Sequence, residues 1–139
     1  MGPAYAVRLE RGEQLVESLT GFLDERGIGA GSLVGIGALK DVELGYYELE
    51  RQTYHRKTFR EDHELVNLTG NVSVKDGKPF LHAHVTISGP DFQAHAGHLF
   101  RAVVAVTVEL VVTPLEGRIG REVDKGVGLA LWSFKACPG

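Results

Sequence analysis

Two apolar, β-branched runs, Leu65–Val74 and Phe80–Ser88, are separated by Lys75-Asp76-Gly77-Lys78. Asp-Gly between such runs supplies the left-handed backbone that a tight turn needs, so the pair predicts an antiparallel hairpin. An isolated hairpin is marginal in water and must find further strands. The chain offers several. Leu99–Thr113 carries Val103, Val104, Val106, Thr107, Val108, Val111 and Val112 and reads as a long buried strand ended by Pro114 and Gly117. Tyr5, Val7 and Leu9 alternate with Ala6, Arg8 and Glu10 as an opening strand, Ser32–Leu39 and Val42–Leu49 read as two more, and Gly128–Phe134 as the last. Gly89–Gly97 reads as turns and Arg118–Lys125 as a loop. Thr53–Asp62 is polar, with Arg51, Arg56, Lys57 and Arg60 on or beside it, and reads as a solvated edge strand or a loop.

One segment breaks the pattern. Within Glu13–Arg26, Leu15, Val16, Leu19, Phe22 and Leu23 recur at intervals of three and four, which predicts an amphipathic helix stopped by Gly27 and Gly29. Many strands with one early helix make an α+β domain on a mainly antiparallel sheet. The 18 glycines, spread along the chain against only 5 prolines, fit a fold of many turns and bulges. A length of 139 residues predicts a single domain, with its core at about 5–134.

The apolar fraction of 43% excludes wholesale disorder. A net charge of -3 provides no global attraction to phosphate backbones or anionic lipid, so nucleic-acid binding requires a local patch. Arg51–Arg60 is the candidate for one. No apolar run reaches the length of a membrane span, and a single cysteine, Cys137, permits no intrachain disulfide, in keeping with a reducing cytoplasm. No phosphate-cradling glycine motif is present, which argues against a nucleotide cofactor.

Histidines carry the chemistry. His82 and His84 stand two apart on a predicted strand, so they project from one face, with Cα atoms roughly 6 to 7 Å apart. His98, at the head of the long strand, can swing onto that face and complete three nitrogen ligands around an ion with an open fourth position. The alternative is that all are packed or surface residues. Imidazole donors favour Zn²⁺, with Ni²⁺, Cu²⁺ and Fe²⁺ also compatible. His55 and His63 lie in a polar stretch and read as surface residues. Glu109 and Arg101 are charged residues within the long apolar strand, which an ion pair or an outward position would explain. The functional alternative makes Glu109 the catalytic candidate, as an acceptor for a ligand histidine or an acid/base beside metal-bound water. Asn71, Thr86 and Ser88 are candidates for lining the same pocket.

The ordered strings Glu64-Leu-Val-Asn-Leu-Thr-Gly-Asn71, Asp76-Gly-Lys-Pro79, His82-Ala-His84, Ala96-Gly-His-Leu99 and Thr107-Val-Glu109 resemble the plant and prokaryote conserved domain over roughly Tyr5–Phe134. The resemblance implies a homotrimer whose surfaces serve interaction, and a DNA-binding role by analogy. In plants the domain accompanies AT-hooks. This sequence has no Arg-Gly-Arg-Pro hook, and Glu61-Asp62-His63-Glu64 stands where the plant interaction motif has Gly-Arg-Phe-Glu. Both departures count against transferring a DNA role, because the hook is what reads A·T-rich DNA through inserted arginine. A more distant similarity, to the zinc site of acetolactate decarboxylase, implies His82, His84 and His98 as ligands and His95 as a spare. Two functions follow as expectations. One is a trimeric binding or regulatory protein with a three-histidine metal site, with DNA or a small molecule as partner. The other is a metal-dependent lyase or hydrolase acting on a small carboxylate.

Overall fold

The computed structural model describes residues 3–135, in the order β1(Tyr5–Glu10), α1(Leu15–Glu25), β2(Gly31–Glu48), β3(Thr53–Phe59), β4(His63–Lys75), β5(Lys78–Ser88), β6(Ala94–Pro114), β7(Gly120–Asp124) and β8(Leu129–Ser133). Cys137 lies outside the described residues. Six strands form one antiparallel sheet in the order β1-β6-β5-β4-β2-β3, and β6 also pairs with β2, so β2, β4, β5 and β6 close into a ring. β7 and β8 form a separate hairpin.

The local chemistry accounts for these elements. The β4–β5 turn has Asp76 at φ 52° and Gly77 at φ 76°, the doubly left-handed geometry that Asp-Gly accommodates. At the start of α1, the Gln14 side chain accepts from the Val16 and Glu17 amides at 2.8 and 3.3 Å. At its end, Gly27 at φ 64° lets the Ile28 amide return to the Leu23 carbonyl. Leu15, Leu19 and Leu23, one helical turn apart, are each fully buried, contributing roughly 1.5 to 3 kcal/mol apiece. They join Leu33, Leu39, Leu65, Leu68, Val85, Ile87, Val104 and Val108 in the core.

Three expectations are corrected. The runs Ser32–Leu39 and Val42–Leu49 belong to one strand, β2, which bends at register shifts around Asp41 rather than breaking. β6 begins at Ala94, so the second half of the supposed turn region Gly89–Gly97 is strand. Gly120–Asp124 is also a strand, which its charges had disguised as loop. Among the described residues no helix is long and apolar enough to cross a membrane.

Candidate metal centre

Side chains alternate along a strand, so His82 and His84 leave the same side of β5. In the β5–β6 ladder His84 stands directly opposite His98, and that pair is the last rung. On its other edge β6 pairs with β2, with Gly45 opposite His98 and Leu44 opposite Leu99, and the His82 ring lies diagonally across the end of the β5–β6 ladder from His98. The three ring centroids are 5.0, 5.3 and 5.7 Å apart, and one nitrogen from each ring lies within 4.8 Å of the others. His82 Nε2 is 3.3 Å from His84 Nε2. No other cluster of histidine, cysteine or acidic side chains among the described residues is gathered in this way.

The electrostatics favour neutral rings at His82 and His98. Burial, then the nearby His82 and His84, then Arg56, hold His98 down at about 4. Burial, His84 and Arg121 lower His82 as well. Neutral imidazoles keep their lone pairs, the form that coordinates a cation. His98 Nδ1 is buried with no hydrogen-bond partner among the described residues, and so is Asn71 Oδ1. Asn71 stands opposite His82 in the β4–β5 register. Buried polar atoms left without partners are costly, and a bound cation with its own ligands would satisfy them. The donor set therefore fits a divalent metal held by three nitrogens with a position left open.

An aromatic clamp orients His98. Its ring lies 5.1 Å from Tyr54 on β3 and 4.7 Å from Phe100, the Tyr54 and Phe100 rings meet edge to face at 4.9 Å, and the Arg56 guanidinium covers Phe100 at 3.7 Å. Phe100 fits because Gly45 opposes it: a Cβ there would lie 2.3 Å from Phe100 Cε2. The β7–β8 hairpin closes the other side. Arg121 donates from Nε to Ser73 Oγ at 2.6 Å and from Nη1 to the Ala130 carbonyl at 2.8 Å, and the Tyr47 hydroxyl donates to the Val127 carbonyl. Between hairpin and histidines lies a pocket of about 370 Å³, with His82, His98, Tyr54, Phe80, Phe100 and Arg121 among its lining.

The other candidates fall elsewhere. His95 pairs with Ile87 on β5 and packs on Phe59 at 4.8 Å, on the opposite side of β6 from His98, and so is no spare ligand. His55 faces Glu48 at 3.6 Å, and His63 contacts the Glu61 carbonyl. Glu109 is exposed on β6, accepts from Thr107 at 3.3 Å and is not part of the histidine group. Arg101 is also exposed. Thr86 and Ser88 continue along β5 away from the opening and do not line the pocket. Arg51, Arg56 and Arg60 each lie 3.6 Å from a carboxylate, of Glu48, Glu43 and Asp41 respectively, which offsets the positive charge of that edge. Sequence reasoning missed Tyr54, Phe100 and Arg121. The only trace of Tyr54 was an aromatic residue at the start of a polar edge.

An antiparallel sheet closed on itself, with three histidines gathered where its ladder parts, defines the class. Residues 1–116 match the Plants and Prokaryotes Conserved domain, and the chain belongs to that family. It is similar to a metal-containing protein from Archaeoglobus fulgidus, at 41% identity and a TM-score of 0.90 over 95% of this chain and 94% of that one. It is also similar to a "putative DNA-binding protein" from Bacteroides thetaiotaomicron, at 36% identity and TM-score 0.92 over 96% and 94% of the two chains. A plant- and prokaryote-conserved protein from Pyrococcus horikoshii shares 36% identity at TM-score 0.88 over 95% and 92%. No curated protein matches the chain.

Proposed function

We propose that this protein is a homotrimeric metal-binding member of its family, in which His82, His84 and His98 hold a divalent cation, Zn²⁺ by preference, and present it to a small-molecule ligand. The observation that carries the reading is the convergence of three imidazole nitrogens within 4.8 Å, two of them on rings, His82 and His98, that burial holds below the ordinary histidine range. The metal content of the Archaeoglobus relative supports it. When bound, such a cation supplies a Lewis-acidic position that polarises an oxygen donor. The chain's own residues do the rest: the Tyr54 and Phe100 rings orient His98, Asn71 stands ready as an acceptor beside His82, and the β7–β8 hairpin limits access of water.

Trimerisation is supported by an apolar outer face. Val34 and Ile36 on β2, Val66 on β4, and Val106 and Val111 on β6 are each about half exposed, at 47% to 62%. Isolated exposed apolar residues are ordinary, but neighbouring ones on adjoining strands mark an interaction surface. Two measurements test the reading. Protein purified without an affinity tag is expected to carry one divalent ion per chain. Zn²⁺ at 100 times its Kd is expected to add about 2.7 kcal/mol of stability to the stripped protein. Absence of stoichiometric metal together with no thermal response to Zn²⁺ refutes it.

DNA binding is a second reading, carried by the name of the Bacteroides relative. Its surface here would be β3 and its flanks, where Arg51, Arg56 and Arg60 already face carboxylates. A mobility shift with no salt-sensitive retardation of duplex DNA eliminates it.

A further inference from the structure

The pocket beside the histidines has a one-sided charge. Its lining holds two cations, Lys75 and Arg121, and no carboxylate. Both lie over the same ring, the Arg121 guanidinium 4.7 Å and the Lys75 ammonium 5.2 Å from the centre of Phe80. Arg121 is fixed rather than free. Its Nε is bound to Ser73, itself fully buried, and its Nη1 to the Ala130 carbonyl, which leaves Nη2 as its uncommitted nitrogen. No acidic side chain pairs with either cation among the described residues, whereas five other Lys and Arg side chains do meet carboxylates. A guanidinium partly withdrawn from water without a counter-ion is costly, and an anion entering the pocket would remove that cost. The remaining walls are apolar, from Phe80, Phe100, Leu129 and Leu131, and the volume of about 370 Å³ is at the small end of ligand pockets.

We propose that this pocket binds a small carboxylate carried on an aromatic or branched apolar body, its charged end held between Arg121 and the three histidines and its body against Phe80, Phe100 and the β8 leucines. The proposal rests on the metal-binding reading of His82, His84 and His98 and names the ligand class of that site. A carboxylate is the anion proposed because its planar pair of oxygens matches the planar guanidinium fork, whose remaining N–H donors lie on Nη1 and Nη2. The β7–β8 hairpin lies beyond residues 1–116, the part matched by the family, yet it supplies Arg121, Leu129 and Leu131.

Calorimetric titration of the zinc-loaded protein with benzoate, phenyl phosphate and benzyl alcohol tests it. Benzoate is expected to bind at least tenfold more tightly than either of the others. Arg121→Gln, at unchanged zinc content, is expected to weaken benzoate at least tenfold while leaving benzyl alcohol alone. Because Arg121 also anchors the hairpin, Lys75→Gln provides a second variant with the same expected direction and a smaller effect. Full zinc loading with benzoate no tighter than benzyl alcohol overturns the proposal and leaves the metal reading standing. Failure to load zinc removes the metal reading instead. The same comparison on the metal-free protein, where Arg121 and Lys75 still discriminate by charge, then decides the proposal alone.

Discussion

Replacing Gly45 with alanine probes how the site is held in shape. The added methyl would lie 2.3 Å from Phe100 Cε2 and 3.0 Å from Tyr54 Cδ1, against an ordinary contact near 3.5 Å, so a ring must move by about 1 Å. Neither ring is free to yield. Phe100 is packed between Tyr54, His98 and the Arg56 guanidinium, at 4.9, 4.7 and 3.7 Å. Overpacking of this kind costs about 1 to 3 kcal/mol. For a chain of this size each kcal/mol is worth roughly 3 to 5 °C, so Tm is expected to fall by about 3 to 15 °C. The displaced rings also carry His98 with them, and the zinc Kd is expected to rise about tenfold or more. Gly21→Ala is the control: it lies inside α1 with nothing within 4 Å of the new methyl, and is expected to raise stability by about 0.5 to 1 kcal/mol with zinc affinity unchanged. Calorimetric unfolding and competitive zinc titration of both variants decide the matter. Wild-type Tm and zinc affinity in Gly45→Ala would refute the aromatic clamp.

His84→Ala removes an exposed ligand with little core packing, so equilibrium unfolding is expected to change by under 1 kcal/mol while zinc affinity falls on the order of a hundredfold or more, measured by competition with a chelating dye. In the metal-free protein His98 titrates at about 4 instead of 6.5, so the unfolded chain binds the extra proton between those values. Stability is therefore full above about pH 6.5 and falls as pH drops toward 4, by about 1 to 2 kcal/mol after allowance for solvent screening of a half-exposed ring. Denaturant unfolding across that range, in wild type and His98→Phe, isolates the contribution; equal slopes with pH would contradict it. Val106→Glu places a charge on the apolar outer face, where Val106 is 62% exposed, and light scattering is expected to report monomers if that face carries the proposed trimer.

The hairpin β4–β5 was legible because two local signals agreed, alternation and Asp-Gly, and the pairing of His82 with His84 on one face follows from strand geometry alone. Tyr54 and Arg121 were not legible, because their roles arise from contacts between elements far apart in sequence: β3 against β6, and β7 against β4. His95 shows the limit of spacing arguments. Three residues from His98, it reads as a neighbour, yet the pleat sends the two rings to opposite sides of β6. Gly97 misled in another way. A glycine in a turn-like stretch reads as a breaker, whereas here it is part of β6, paired with Val85, and is glycine because a Cβ would come within 2.9 Å of the Gly45 carbonyl.

The site exists at this place in the sheet because the β5–β6 ladder ends there. If the β5–β6 ladder ran on past His84 and His98 in the same register, Leu99 would oppose Ala83 and Phe100 would oppose His82. The Phe100 ring would then fill the space that the pocket occupies, and His82 would be packed like any cross-strand neighbour. Instead β6 leaves β5 after this rung while β2 stays paired along its opposite edge, where Gly45 and Gly97 let the two backbones approach closely. Phe100 swings over Gly45 and becomes part of the wall behind His98, and His82 is left facing an opening. The histidines thus depend on where β5 and β6 part, and Gly45 makes room for the Phe100 ring beside them. Gly45→Ala attacks it directly, since the methyl pushes Phe100 back toward His82. The same substitution is therefore expected to weaken benzoate as well as zinc, and Gly21→Ala neither.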